Sequence, residues 1–377
     1  MGTGQPLDTH VRIDREPAIN RFFKAAIKTQ ASDLHLKVGQ TAKLRLYGSL
    51  KSTTGEPFGP EELEEMVLEI MSPEQKEYFL THGTLDFAYE YDKENRFRVN
   101  VFRQRSVVSL AARRVNSTVP SFEKLSLPPI LKEIAQSSQG MVLVVGPTGS
   151  GKTTTIAAML DFISKPRACH IVTLEDPIEY LYQDHKAIVS QREIGLDVAN
   201  FEEALTYLMR QDPDVVLVGE MRDFRTVTAA MRAAETGHLV FGTLHSSSAS
   251  QAVHRILDLF PQEERELARQ ALAISVKAIV AQVLIPSLRE GVDRVPVMEV
   301  MLANGSIKKL IAEGRESDII SVIRACQKEG MQDLTDNLSK MIMDGIIDPK
   351  VAMDFAPNRE ELKMAMKGIR TVSSGIM

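Results

Sequence analysis

An aliphatic strand, a glycine loop and a helix follow one another without a break: Met141–Val145 (MVLVV), Gly146–Thr153 (GPTGSGKT) and the stretch TTIAAMLDFI. No other feature narrows the fold as much. The loop fits G-x-x-x-x-G-K-[ST], a main-chain cradle for phosphate. Glycines allow the tight turn that points successive N–H groups inward. A helix beginning near Lys152 adds the positive end of its dipole. Lys152 carries a point charge to the β- and γ-phosphates, and the Thr153 hydroxyl is a Mg²⁺ ligand. The candidate nucleotide contacts are Gly146, Pro147, Thr148, Gly149, Ser150, Gly151, Lys152, Thr153 and Thr154. The pattern specifies a nucleoside triphosphate and is silent on the base.

The strand before the loop is one of a set. Met141–Val145, Ile171–Leu174, Val215–Val218 and Leu239–Phe241 are wholly apolar and alternate with helical stretches. Such strands belong to a sheet buried on both faces, so the fold class is α/β, a mostly parallel sheet with helices on each side. Its active site is expected at the carboxyl ends of the strands. From about Pro261 onward the chain reads as largely helical.

The first third reads differently. Ile19–Gln30 has helical apolar spacing, and Leu63, Met66, Val67, Ile70 and Met71 mark an amphipathic helix. KLRLY (Lys43–Tyr47) and FRVNVF (Phe97–Phe102) alternate as strands. Phe97, Val99 and Val101 then face one side, with Arg98 and Asn100 on the other. Asn116–Pro129 (NSTVPSFEKLSLPP) concentrates Ser, Thr and Pro and reads as a linker. The expected domains are 1–115 and 130–377, joined by 116–129.

Charge and cysteines exclude several classes. A net charge of −5 gives no overall basic field for nucleic acid or an anionic membrane. The cysteines, Cys169 and Cys326, form no CxxC or Cys/His cluster, so no zinc site is expected. Their scarcity suits a reducing cytoplasm. The N-terminal segment has no apolar signal-peptide core. The most apolar long stretch, Ala271–Pro286, is interrupted by Lys277 and Gln282 and is too short to span a bilayer. Membrane association is therefore expected to be peripheral.

Acids stand where the strands end. Asp214–Glu220 (DVVLVGE) ends a buried strand in Glu220, with Gly219 where P-loop enzymes usually place an aspartate. Thr153 and water then do more of the direct metal work, while Glu220 is outer-sphere to Mg²⁺ or orients water. Another strand ends in Glu175, Asp176 and Glu179, which repel one another unless metal or arginine offsets them. Such a cluster holds Mg²⁺ or polarises the attacking water. The metal candidates are thus Thr153, Glu220 and Glu175, and spacing does not rank Glu179 against Glu220. His238 and His245 flank the strand Leu239–Leu244. Seven extended residues span roughly 23 Å, too far to share one metal. His245, at the carboxyl end, is the candidate γ-phosphate sensor, and His238 a structural hydrogen bonder.

These segments in this order resemble the secretion-type hexameric ATPases, and within them the type IV pilus retraction ATPases (the PilT family of twitching-motility motors). GPTGSGKTTT resembles their Walker A, LEDPIEY their Asp box, RQDPDVVLVGEMRD their atypical Walker B and AAETGHLVFGTLHSSSA their His box. ASDLHLKVGQ (Ala31–Gln40) and RFRVNVF (Arg96–Phe102) resemble their PAS-like N-terminal domain, and IKKLIAEGR (Ile307–Arg315) their C-terminal retraction motif. The His box departs from the pattern in ending on Ser246 instead of threonine. The tail after about Asn358 runs beyond the shared region.

The resemblance implies an N-terminal PAS-like α+β domain, a RecA-like P-loop domain with a helical C-terminal segment, and a homohexameric ring that hydrolyses ATP with Mg²⁺. It puts the catalytic base on Glu179, with Glu220 supporting Mg²⁺ and water. It brings arginines of the N-terminal domain to the phosphates, Arg98 and Arg113 by position. It implies a cytoplasmic motor at the inner membrane, working on the pilus platform protein to drive retraction. The extension motors of the same system carry a four-cysteine zinc motif that this chain lacks. Other readings are an accessory paralogue, a nucleotide-gated regulator that barely turns over, and a DNA-translocating ring, which the charge and the lack of a basic, aromatic stretch disfavour.

Overall fold

The computed structural model describes residues 16–46 and 48–369. The chain divides into two units, Met1–Thr118 and Val119–Met377.

The first unit runs α1 (Asn20–Lys28), β1 (Asp33–Lys37), β2 (Lys43–Leu46), β3 (Ser49–Ser52), α2 (Pro60–Glu69), α3 (Pro73–His82), β4 (Thr84–Asp92), β5 (Asn95–Gln104) and β6 (Val107–Arg114). Its sheet has six strands in the order β3-β2-β1-β6-β5-β4. Alternation along β5 works as the sequence implies: Phe97, Val99 and Val101 enter the core with Phe23, Leu34 and Leu63, while Arg98 and Asn100 lie on the other face. Tyr47, at the end of the strand reading KLRLY, lies outside the described residues.

The second unit begins inside the segment read as a linker. Phe122 and Leu127 are buried against Ile130, Met159 and Ile163, so Ser121–Pro129 is packed down by its own apolar side chains. Its elements are α4 (Ile130–Ala135), β7 (Gly140–Val145), α5 (Lys152–Ser164), β8 (His170–Glu175), β9 (Ile188–Glu193), α6 (Phe201–Leu208), β10 (Val215–Val218), α7 (Phe224–Glu235), β11 (Leu239–Leu244), α8 (Ala249–Asp258) and α9 (Arg265–Ser275). Then come β12 (Val276–Pro286), β13 (Arg294–Leu302), α10 (Gly305–Ala312), α11 (Ile319–Ala325), α12 (Leu334–Met343), α13 (Pro349–Phe355) and α14 (Arg359–Met366).

These strands form one seven-stranded sheet in the order β13-β12-β7-β11-β10-β8-β9. All neighbours are parallel except β12 and β13. Side chains alternate between two cores: Met141, Leu143 and Val145 pack with α7, α8 and α9 on one face, and Val142 and Val144 pack with α4 and α5 on the other.

The helical reading beyond Pro261 needs correction. The apolar run Ala271–Pro286 is the end of a helix followed by a full strand, and β13 adds a second. VKAIVAQVLIP is β-branched and buried on both faces, which removes the alternation that would have marked it as a strand. Pro296 is tolerated in β13 because that strand is the sheet edge. Beyond β13 the described residues are helical, and Leu334, Leu338, Ile347 and Leu362 pack on Ile285, Val295 and Val297.

Candidate nucleotide site

The glycine loop rises from the carboxyl end of β7, between β11 and β12. Gly151 has φ +86° as it enters α5, a conformation that side chains disfavour. Lys152 donates to the carbonyl oxygens of Gly146 at 2.9 Å and Pro147 at 3.1 Å. Partial burial lowers its pKa, and the charge of Glu220 opposes this. The Thr153 hydroxyl group sits on an exposed position of the first turn, whereas the Thr154 hydroxyl group pairs with Tyr180 Oη at 3.0 Å. Ser150 Oγ is buried without a hydrogen-bond partner among the described residues. Helix N-terminus, lysine and an unsatisfied buried hydroxyl group together fit a phosphate group.

Two neighbouring strands bring acid and imidazole to this loop. The main chain of Gly219 donates to Leu174 O at 2.8 Å, and Thr243 Oγ1 donates to Gly219 O at 2.5 Å, which ties the ends of β8, β10 and β11 together. A Cβ at Gly219 would lie 3.0 Å from Leu174 O and 3.3 Å from Glu175 Cα. Close main-chain packing is therefore why glycine stands where an aspartate is usual. Beyond it, Glu220 Oε2 accepts from Arg222 Nη2 at 2.6 Å, and Oε1 lies 3.3 Å from His245 Nε2. The Arg222 hydrogen bond, helped by the charges of Arg222, His245 and Lys152 and opposed by burial, holds Glu220 below the usual carboxylate range. Glu220 is thus an ionised carboxylate facing Lys152 and His245. His238 turns elsewhere, its Nδ1 lying 2.9 Å from Ala233 O at the end of α7.

The acids after β8 separate into distinct environments. Glu175 is 4% exposed. Its Oε1 accepts from Thr173 Oγ1 at 2.7 Å and Gln191 Nε2 at 3.2 Å, and the carboxyl group also accepts the Glu179 main-chain N–H. Burial pushes its pKa up to about 7, beyond what these bonds offset. Enclosed and already accepting three hydrogen bonds, the Glu175 carboxyl group is committed to holding the surrounding chain. Glu175 is better described as the anchor of the turn that carries Glu179, whose side chain is half-buried.

In the first unit, Arg45, Asp33, Arg113 and Arg98 are successive register partners across β2, β1, β6 and β5. Asp33 accepts from Arg113 Nε at 2.9 Å and pairs with Arg45 Nε at 3.3 Å. Arg113 remains largely exposed while its orientation is fixed.

The family described as Type II/IV secretion system protein matches residues 84–293, more than half of the chain. The chain belongs to this family. Among curated relatives of this secretion-system chain, a "Twitching motility protein" of Neisseria gonorrhoeae is 40% identical over 85% of the chain and 86% of the relative. A type IV pilus retraction ATPase, PilT, of Pseudomonas aeruginosa is 38% identical over 90% and 98%. A crystal structure of the pilus retraction motor PilT with bound ADP superposes with a TM-score of 0.85 at 40% identity, covering 92% of the chain and 99% of the motor.

Two residues of this type II/IV secretion system protein were invisible as site residues in the sequence. Gln282, on β12, reaches the glycine loop: its Nε2 donates to Ser150 O at 2.6 Å and its Oε1 accepts from Thr155 Oγ1 at 2.7 Å. Glu299, on β13, accepts the Ala249 N–H at 2.7 Å at the start of α8, just after the His245 loop. Each is a polar group in the middle of a mainly apolar run, and that is the only signal the sequence offers. Among the described residues no group of His, Cys, Asp and Glu gathers as a protein-only metal site. A hard Mg²⁺ ion takes most of its ligands from phosphate and water, and Thr153 and Glu220 supply the oxygen chemistry it favours.

Proposed function

We propose that this protein is an ATP-hydrolysing motor that powers type IV pilus retraction as a ring of six copies. The observation that carries this is the meeting of Lys152, Glu220 and His245 beside the glycine loop, in a chain about 40% identical over most of its length to a twitching motility protein.

In this reading the loop's N–H groups and Lys152 bind the β- and γ-phosphates, which places the terminal phosphorus at the carboxyl ends of β8, β10 and β11. Thr153 and Glu220 hold Mg²⁺, which when bound neutralises charge on the phosphate oxygens. Glu179, positioned by the Glu175 anchor, takes a proton from the attacking water. His245 reads the γ-phosphate, and its contact with Glu220 passes that state to β10. Arg98 and Arg113 supply transition-state charge from a PAS-like N-terminal domain, Arg113 oriented by Asp33. The second unit is RecA-like, and domain rotation around the ring drives an inner-membrane platform protein that removes pilin subunits. The protein works in the cytoplasm, held peripherally at the inner membrane. Among the described residues no helix is long and apolar enough to cross a membrane.

A second reading, an accessory paralogue, has its own support: a type IV pilus ATPase, PilU, of Pseudomonas aeruginosa is 36% identical over 92% of the chain and 91% of the relative. A deletion strain separates the readings. Hyperpiliated, non-motile cells mark the main retraction motor, retained piliation with partial motility the accessory, and bald cells overturn both. Purified protein lacking Mg²⁺-dependent ATPase, with Glu179→Gln and Lys152→Ala both indistinguishable from wild type, overturns the motor itself.

A further inference from the structure

Gln282 is 2% exposed, in the middle of a strand whose other polar side chain, Lys277, is exposed at its start. A buried primary amide is costly unless it is hydrogen-bonded. Here its two ends bond to the site: Nε2 to Ser150 O in the glycine loop, and Oε1 to Thr155 Oγ1 in the first turn of α5. The main chain of the same residue closes over the loop's start. A Cβ at Gly146 would fall 2.3 Å from the Gln282 carbonyl oxygen, and one at Gly151 would fall 2.9 Å from Gln282 Nε2. Both glycines also have positive φ, +154° at Gly146 and +86° at Gly151, so the loop's left-handed turns are packed directly against Gln282.

We propose that Gln282 is a positioning residue that aims the N–H groups of the glycine loop at the nucleotide phosphates. The inference rests on reading Gly146–Thr153 as the phosphate site. Among the described residues the only cis peptide bond is Asp176–Pro177, so the Ser150–Gly151 peptide is trans. In a planar trans peptide the C=O and N–H point in opposite directions. Fixing the Ser150 carbonyl on Gln282 turns the Gly151 N–H to the side away from β12, into the loop. The Thr155 bond fixes the first turn of α5, whose free N–H groups face the same anion. One side chain thus holds the loop and the helix in a single relative orientation. Because β12 also pairs with β7 and β13, that orientation is referenced to the sheet.

The test uses the purified full-length chain with the fluorescent nucleotide mant-ADP and Mg²⁺. Gln282→Glu, assayed at about pH 8.5 to favour the ionised carboxylate against burial, keeps the shape but sets an acceptor against the Ser150 carbonyl. Thr155→Val keeps the volume and removes the other bond, which covers the case in which a buried carboxylate prevents folding. Mant-ADP affinity is expected to fall at least about tenfold in Q282E and about three- to tenfold in T155V, with the nucleotide-free melting temperature of T155V within about 3 °C of wild type. Lys152→Ala is the control for the underlying reading. If it binds mant-ADP as wild type does, the phosphate site itself is misassigned. If it loses binding while folded Q282E and T155V stay within about twofold of wild type, the positioning role is overturned. A loss that vanishes when affinity is referred to the folded fraction, measured by near-ultraviolet circular dichroism, overturns it as well.

Discussion

Glu220 Oε1 lies 3.3 Å from His245 Nε2, although the two side chains leave the ends of different strands. The contact exists because Thr243 and Gly219 lock those strand ends together. It makes an acid expected to support Mg²⁺ and a histidine expected to sense phosphate into one unit.

Residues that act as a unit lose activity non-additively. Glu220→Gln and His245→Ala are each expected to lower kcat by about 10- to 100-fold. The double variant should fall within about threefold of the worse single variant. Steady-state phosphate release measures this, and multiplicative losses would show that the two side chains act independently.

Glu179 is expected to fail differently. Glu179→Gln should lower kcat by about 100- to 1,000-fold while leaving mant-ADP affinity near wild type. Lys152→Ala should instead lose the affinity. Equal losses of binding in both variants would remove Glu179 from the proton-transfer role.

Glu175 makes stability depend on pH. Its carboxyl pKa rises from the ordinary 4.5 to about 7 in the folded chain, chiefly through burial. The folded state then binds the proton more tightly than the unfolded state, so this group's contribution is most favourable below about pH 4.5 and is lost as pH rises toward about 7. The loss is on the order of 3 kcal/mol. Glu175→Gln should therefore flatten the stability profile across that window, and at pH 8 it should be at least as stable as wild type. Denaturant titrations from pH 5 to 8 check this, and an unchanged slope would count against an enclosed, proton-retaining acid.

Asp33 holds two arginines of the first unit. Burial pushes its pKa up, but hydrogen bonds from Ser32 and Arg113, with the charges of Arg113 and Arg45, bring it below the usual value. Asp33→Asn should cost the first unit about 1–3 kcal/mol, less than a fully buried pair because both arginines reach solvent. It should also lower kcat more than mant-ADP affinity if Arg113 serves the transition state. Unchanged kinetics with reduced stability would confine the row to a structural role.

Gly219 offers a fifth check. Installing the usual aspartate, Gly219→Asp, puts a Cβ against the main chain of Leu174 and Glu175. Strand-end separation should cost about 1–3 kcal/mol and reduce turnover. A stable and faster enzyme would contradict the packing account.

The sequence carried the phosphate loop, the buried parallel strands and the acids at their ends because each is a local pattern: glycine spacing, an aliphatic run, a charge at a strand terminus. The alternation of Phe97, Val99 and Val101 was legible for the same reason. What it hid depends on register between distant segments. Gln282 looks like a flaw in an apolar stretch until β12 is laid beside β7. VKAIVAQVLIP looked helical because burial on both faces erases the period-two signal. Phe122 and Leu127 sit among residues whose composition says linker, and only their packing partners say otherwise. Glu175 and Glu179 are indistinguishable as letters, and burial alone parts them.

The strand order has a consequence for portability. A fragment ending near Phe260 would contain every recognisable motif from the glycine loop to His245. It would lack β12, so β7 would become a bare sheet edge, open to pairing with another chain. It would also lack the amide that holds Ser150 and Thr155. Grafting or trimming guided by the motif boundaries would thus transplant the lettering of the catalytic apparatus without its mounting. The smallest transferable piece is set by where the sheet closes.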